Sequence, residues 1–368
     1  MTFSADDFLF MARALRLAER GMFTTTPNPR VGCVLVKDGS IVGEGWHERA
    51  GGPHAEAVAL NIAGTKAQGA TAYVSLEPCS HYGRTPPCAD ALIAAKVVRV
   101  VAAMQDSNPR VAGSGLQKLR DAGIAIETGI LENEARELNI GFHSRMTRAR
   151  PWMRIKIAAS LDGKTALGNR TSKWITGADA RRDGHRWRAR SCAVMTGIGT
   201  LTDDDPRLTV RDVETPRQPL RIVVDSRLRI TPEAKILEGG GVLIATATRD
   251  EARNRALANK GAEVVVLPNP EHKVDLLALA KDLAGRGINE VLVEAGTNLN
   301  SALLRAGVVD ELLIYLAPHI LGDAARGMLD LGELTEMNQR LQLSVLETRM
   351  FGADLRILAR PVIEKQGP

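Results

Sequence analysis

Short apolar runs of β type alternate with segments of helical periodicity along almost all of the 368 residues, and this alternation restricts the fold more than any other feature. Such a pattern demands sheets covered by helices, an α/β layering, and a length of this order calls for two or three domains. Residues 6–21 place Phe8, Met11, Leu15 and Ala18 on one helical face and stop at Gly21. Runs 31–37 and 40–46 flank Asp38-Gly39, the turn pair of a β-hairpin. A helix over 53–63, a buried strand over 72–76, a helix over 90–95 and a strand over 97–104 follow. After a further helix come a strand near 124–128 and an amphipathic helix over 132–146. The basic, irregular stretch 145–151 marks a boundary, which divides the chain into domains 1–147 and 148–368.

Beyond the boundary the β-type runs recur at 152–158, 192–196, 220–224, 242–247, 263–267, 290–293 and 311–317, predicting a second α/β domain. The last two runs, 341–350 and 354–359, are joined through Phe351-Gly352-Ala353 and predict an antiparallel hairpin ending a mainly parallel sheet. The 44% hydrophobic and 25% charged residues exclude a disordered or collagen-like chain. No apolar stretch approaches the roughly 20 residues needed to cross a bilayer, and Asp6 and Asp7 stand where a secretory signal carries basic residues. The expectation is a cytoplasmic protein without a membrane partner.

The formal charge of +5 favours an anionic ligand, but with aromatics at 4% there are few rings to stack nucleobases, which argues against a nucleic-acid partner. Four cysteines are too few for a disulfide framework in a chain this long, and Cys33 and Cys192 sit in apolar runs that read as packing. Cys79 and Cys88 differ, because each follows a proline and both follow the pair His54-x-Glu56 at the start of a predicted helix. One His and two Cys form a three-ligand set for catalytic zinc, which keeps its fourth position for water. Zinc lowers the pKa of that water toward ~7, and a nearby carboxylate must move the proton, the role for which Glu56 is placed. Zinc deaminases divide the labour in this way, with two residues between their cysteines; here eight separate Cys79 from Cys88. The alternative is a closed structural site with His81 or His47 as fourth ligand, which has no use for Glu56.

In the second half no G-x-G-x-x-G follows the first strand, and Gly197-Ile198-Gly199-Thr200 matches that fingerprint only in part. The loop from there to Asp203-Asp204-Asp205-Pro206 and the loop Glu294-Ala295-Gly296-Thr297-Asn298 nonetheless lie after strands and before helical runs. Two such loops form a cofactor crevice in which backbone N–H groups approach a pyrophosphate.

The segments Thr26-Pro27-Asn28-Pro29-Arg30-Val31-Gly32, HAE, EPCSHYGRTPPC, QDSNPRVAGSG, KIAASLDGKTA, SKWITG, TLTDDDPRLTVR, VVDS, LVEAG and ELLIYLAPHILG together resemble the bifunctional riboflavin-biosynthesis enzymes, a pyrimidine deaminase fused to a pyrimidine reductase. The resemblance spans nearly the whole chain. It implies a cytidine-deaminase-like three-layer domain followed by a dihydrofolate-reductase-like α/β domain. It implies one Zn²⁺ per chain on His54, Cys79 and Cys88, with Glu56 as proton shuttle. A phosphorylated pyrimidine is the implied substrate, deaminated first and then reduced by NADPH from ribosyl to ribityl; a homodimer is the implied assembly. Asn28, His47, Arg84, Asp106 and Asn108 fall in loops placed to hold the pyrimidine and its ribose phosphate, although Asn28 and Asn108 each precede a proline, as turn residues do.

Cofactor contacts fall by resemblance to Ala158, Trp174, Thr200, Asp204, Ser226, Gly296, Thr297 and Asn298, and substrate contacts to Ser172, Arg188, Leu208, Arg211 and Glu294. Thr297-Asn298 departs from the Gly or Pro common after that glycine. Arg188 and Arg211 suit a phosphate, the alternative for each being a solvated helix-face arginine, as the run ARRDGHRWRAR could supply. Acid–base help for hydride transfer has three candidates, Asp162, Lys156 and Asp204. Two other classes remain: a deaminase of bases in RNA or DNA, and a zinc-stabilised binding module fused to a nucleotide-sensing domain.

Overall fold

In the computed structural model, which describes residues 3–80, 86–109 and 111–362, the chain forms two units, Met1–Ala149 and Arg150–Pro368. The first contains α1 (Ala5–Glu19), β1 (Gly32–Lys37), β2 (Ser40–Trp46), α2 (Ala55–Ala63), β3 (Thr71–Val74), α3 (Cys88–Ala94), β4 (Arg99–Ala102), α4 (Ser114–Asp121), β5 (Ala125–Thr128), α5 (Glu132–Leu138) and α6 (Ile140–Arg148). Its sheet runs β2-β1-β3-β4-β5, with β1 antiparallel to both neighbours and β3, β4 and β5 parallel. Successive side chains of a strand face opposite sides, so Val34 and Val36 pack with Met11, Ala14 and Leu138 from α1 and α5. Cys33 and Leu35 pack on the other side with Ala55, Ala59, Leu92 and Leu119 from α2, α3 and α4. Both faces are covered, which makes the three layers.

Ser4 and Asp7 close a reciprocal cap at the start of α1, Asp7 N–H donating to Ser4 Oγ at 3.1 Å and Ser4 N–H to Asp7 Oδ2 at 2.9 Å. Gly45 matters for the site, because a Cβ there would lie 2.3 Å from the Ala55 carbonyl oxygen; its absence lets β2 lie close against the first turn of α2. The single helix expected over 132–146 is two. Asn139 leaves helical geometry (φ −111°, ψ 24°) between α5 and α6. It does so to pair with the backbone of Arg30, whose N–H donates to Asn139 Oδ1 at 2.8 Å and whose carbonyl accepts from Nδ2 at 2.9 Å.

The second unit contains β6 (Trp152–Ser160), β7 (Lys164–Ala166), α7 (Ala178–Arg190), β8 (Ala193–Gly197), α8 (Ile198–Asp204), β9 (Leu220–Val224), β10 (Val242–Thr246), α9 (Glu251–Ala258), β11 (Ala262–Val266), α10 (Leu276–Gly285), β12 (Glu290–Val293), α11 (Thr297–Arg305), β13 (Glu311–Ala317), β14 (Arg326–Gly327), β15 (Leu343–Phe351) and β16 (Asp354–Pro361). Nine of these strands form one sheet, β11-β10-β9-β8-β12-β6-β13-β16-β15. It is parallel from β11 to β13 and antiparallel at β16 and β15, as the terminal hairpin requires. Ile155, Met195 and Val293 pack beneath α10 and α11 on one face, and Val194, Val223 and Leu313 meet Ala180, Leu201 and Leu257 on the other. At the N-terminal ends of the central strands Arg154, 1% exposed, reaches Glu311 at 3.1 Å and Glu290 at 3.3 Å. Removing one partner there would strand a buried charge. Among the described residues no helix is long and apolar enough to cross a membrane.

Candidate active sites

In the first unit the turn into α2 brings His54 to the helix cap and Glu56 to the first turn, while Cys88 opens α3 and Cys79 lies in the loop after β3. His54 Nδ1 stands 3.3 Å from Cys88 Sγ and 3.5 Å from Cys79 Sγ, and the three candidate ligand atoms lie within 4.8 Å of one another. Tetrahedral zinc with ordinary Zn–N and Zn–S bonds would set N and S about 3.6 Å apart, so the donor set and its spacing fit that ion. Among the described residues no other group of three or more His, Cys, Asp or Glu side chains is so placed. The Cys88 thiol, donating to Cys79, holds the Cys79 thiol far below the ordinary cysteine value, and His54 adds to this; the Cys88 thiol is pushed up in exchange. Glu56 is 3% exposed, and burial, helped by the negative Cys79, pushes its carboxyl up to about 7.

The His47 ring meets the His54 ring edge to face, with centroids 5.4 Å apart. His47 Nδ1 donates to the Pro53 carbonyl at 2.9 Å, so Nε2 is the acceptor and the Asn28 carboxamide donates to it at 3.1 Å. Burial lowers the pKa of His47, which keeps the ring in this neutral form. Asn28 and His47 therefore lie beside His54, one of the three candidate metal ligands. Asp106 and Asn108 follow β4, where Asn108 N–H donates to Asp106 Oδ1 at 2.7 Å in a local turn. Arg84 and His81 lie outside the described residues. Glu77, which the sequence reading passed over, is 3% exposed and its carboxylate collects backbone N–H groups from the loop that carries Asp106.

In the second unit a cavity of about 740 Å³ opens along β6 and beyond the C-terminal ends of β8 and β12, the place where parallel sheets bind ligands. Ala158, Ser172, Trp174, Thr200, Asp204, Gly296 and Thr297 line it, with Arg188, Leu208, Arg211 and Glu294. Ser226 and Asn298 are outside that lining: Ser226 Oγ accepts from Val274 N–H at 3.1 Å, and Asn298 is exposed on the first turn of α11. The loop expected at 197–204 is instead mostly the short helix α8, and Gly296 N–H donates to Thr200 Oγ1 at 3.1 Å, tying the two loops together. Ser172 Oγ donates to Asp204 Oδ1 at 3.3 Å. Arg188 is no solvated helix-face residue, since its guanidinium forks onto Glu294, with Nη2 to Oε2 at 2.9 Å, and reaches the Thr209 carbonyl at 3.0 Å. Burial works to raise the Glu294 carboxyl, but Arg188 and Lys156, whose Nζ is 3.7 Å away, outweigh it and hold the group at about 2.

Of the three acid–base candidates Lys156 and Asp204 line the cavity. Asp162 does not; it accepts from Ser160 Oγ and from Gly322 N–H at 2.8 Å as a turn residue. His185 was missed, although it lies three residues before Arg188 and so on the same face of α7. It lines the cavity, and its Nδ1 accepts from Arg211 N–H at 3.3 Å. Burial, then the positive Arg188, depress its pKa to about 4 from an ordinary 6.5. The unfolded chain therefore binds the extra proton first, so the stability this neutral ring contributes is complete above about 6.5 and is lost as pH falls toward about 4. Thermal melts of the full chain against a His185→Asn variant should show that slope in the wild type and a flatter one in the variant; equal slopes would contradict it.

Comparison with known proteins gives two family models. One, the cytidine and deoxycytidylate deaminase zinc-binding region, matches residues 4–104, and the RibD C-terminal domain matches residues 151–357. The chain is 50% identical over 363 residues to the riboflavin biosynthesis protein RibD of Escherichia coli K12, covering 95% of this chain and 98% of that one. It is 47% identical to the Haemophilus influenzae protein of the same name, with 98% and 99% covered. Among solved structures, Acinetobacter baumannii RibD superposes with a TM-score of 0.90 at 45% identity, covering 97% of this chain and 99% of that one. A Thermotoga maritima diaminohydroxyphosphoribosylaminopyrimidine deaminase/5-amino-6-(5-phosphoribosylamino)uracil reductase does so with a TM-score of 0.84 at 33% identity, over the same shares.

Proposed function

This chain belongs to the RibD family of riboflavin biosynthesis, bifunctional enzymes that join a deaminase to a reductase, and from that premise we propose how its residues divide the work. Residues 1–147 hydrolyse the exocyclic amine of 2,5-diamino-6-(5-phosphoribosylamino)pyrimidin-4-one and release ammonia. Residues 148–368 then reduce the ribosyl chain of the product to ribityl phosphate. The observation that carries the first half is the triangle of His54 Nδ1, Cys79 Sγ and Cys88 Sγ, whose two N–S edges suit zinc, beside a buried carboxyl that is not part of it. Zinc held there supplies, when bound, the acidification of a water molecule. Glu56 takes a first proton at a carboxylate oxygen and passes it to the ring nitrogen of the pyrimidine, then takes the second from the added oxygen and passes it to the amine, which departs as ammonia. Asn28, fixed by His47, and Asp106 and Asn108 hold the ring, and the charge of Arg84 serves the phosphate.

In the second half NADPH supplies the hydride when bound, and the chain supplies orientation. Thr200, Asp204, Trp174, Ala158, Gly296 and Thr297 are the cavity residues on the cofactor side. Ser226 and Asn298 reach it only where it extends past the cavity lining. Ser172, Leu208, Arg211 and Glu294 take the substrate, and Arg188 acts by fixing Glu294. Lys156, paired with Glu294, is the better placed of the proton donors. We further propose a homodimer formed through β15, a sheet edge whose Leu343, Val345 and Met350 are all exposed, and a cytoplasmic setting, which suits four cysteines that form no disulfide. Dialysis against a strong zinc chelator tests the division of labour. Ammonia release should stop and return with added zinc, while NADPH oxidation with the deaminated intermediate continues; parallel loss of both activities would contradict it.

A further inference from the structure

Glu77 precedes Cys79 by two residues, yet its side chain serves a different segment. Four backbone N–H groups converge on its buried carboxylate: those of Asp106 at 3.1 Å and Gly113 at 2.9 Å on Oε2, and those of Gly115 at 2.9 Å and Leu116 at 3.3 Å on Oε1. Three of these belong to the start of α4, where the first N–H groups have no partner within the helix. Glu77 thus caps α4 from a distance and at the same time grips Asp106. Asp106 passes the constraint on, since its Oδ1 takes the Asn108 N–H at 2.7 Å. Two further contacts join the same segments. Ser80 Oγ and Ser114 Oγ lie 2.6 Å apart, and a Cβ at Gly115 would fall 1.9 Å from the Pro78 carbonyl oxygen, so only glycine allows the approach.

We propose that Glu77 is a positioning residue for deamination: its buried carboxylate locks the loop that bears Asp106 and Asn108 in register with the loop that bears Cys79, so that the pyrimidine is held at the correct distance from the metal-ligand group. The inference rests on the reading that this loop contacts the substrate. A carboxylate is required for the geometry, because it alone offers acceptor oxygens on both sides. Glutamine keeps the size but turns an NH₂ toward two of the four N–H groups, leaving them without an acceptor. The His54, Cys79 and Cys88 donors are untouched by that exchange, so ring placement should suffer while metal binding does not.

The test measures kcat and KM for ammonia release from the phosphoribosylated diaminopyrimidinone, zinc per chain, and the thermal transition, for wild type, Glu77→Gln and Asn108→Ala. Glu77→Gln should raise KM about 10- to 100-fold, the equivalent of one or two buried donors left unsatisfied, with kcat within about threefold and zinc content unchanged. Loss of zinc in step with activity would reduce Glu77 to a brace for Cys79 and overturn the proposal, as would a fall in kcat at constant KM or no change in either. Asn108→Ala should also raise KM. If it does not, the substrate reading of the loop fails, and a Glu77 effect would have to act by another route than the one proposed. Should Glu77→Gln lose its cooperative melting, Ser114→Ala decides, since it leaves the Glu77 carboxylate intact and removes the contact to Ser80 together with a bond to the Val111 carbonyl of the same loop: a rise in KM of threefold or more at constant kcat supports the proposal, and an unchanged KM overturns it.

Discussion

A Glu56→Gln chain should release ammonia at least about 10³-fold more slowly than the wild type while holding as much zinc, because it loses the proposed proton carrier and none of the proposed metal donors. The change is close to isosteric, and Glu56, 3% exposed in the first turn of α2, would keep its packing. A carboxamide can neither take the proton from water nor return it to the amine. NADPH oxidation with the deaminated intermediate should be unaffected, as it belongs to the other unit. Ammonia assay and metal analysis on the same preparation check this. A rate within tenfold of wild type would remove Glu56 from the reaction, and the closed structural site weighed from the sequence would then regain its place.

The second large effect is expected in the reductase unit. Arg188 and Glu294 side chains are 14% and 12% exposed, and Arg188→Ala leaves a carboxylate largely shut off from solvent, with Lys156 at 3.7 Å and His185 as its remaining partners. Breaking such a pair from one side costs about 3–5 kcal/mol, so the reductase transition should fall sharply and its activity with it, while deamination persists. The sign of the pH dependence follows from Glu294, whose folded value of about 2 lies below the ordinary 4.5. The stability it contributes is present above about 4.5 and disappears as pH falls toward about 2, where the carboxyl protonates in the folded chain too. The gap between wild type and Arg188→Ala should therefore be widest near neutral pH and narrow through that window. A gap independent of pH would mean that lost packing, and not an uncompensated charge, is the cause.

Elements set by local chemistry were legible in the sequence. Asp38-Gly39 between two β-type runs announces the hairpin of β1 and β2, and the turn at Phe351-Gly352-Ala353 announces that of β15 and β16. His54, Cys79 and Cys88 could be grouped because their residue types admit few other uses together, and the structure brings their donor atoms into one cluster. What stayed hidden depends on distant partners. Asn139 splits a helix that looks continuous because its amide pairs with the backbone of Arg30, 109 positions away. Glu77 gives no local signal, since its four donors come from residues 106–116. Arg188 is indistinguishable in ARRDGHRWRAR from its exposed neighbours until Glu294 is folded against it. Ser226 illustrates the opposite limit, where a motif position is easily named but its hydroxyl sits outside the cavity lining, bonded to Val274.

The most direct test of the central claim, two sites acting in a fixed order, is NADPH absorbance after purified, zinc-replete protein receives 2,5-diamino-6-(5-phosphoribosylamino)pyrimidin-4-one. The wild type should release ammonia first and oxidise NADPH after a lag, and Glu56→Gln should oxidise it only when given the deaminated intermediate. If neither protein oxidises NADPH even with that intermediate, or if Glu56→Gln consumes NADPH with the starting compound as fast as the wild type, the assignment of deamination before reduction is wrong.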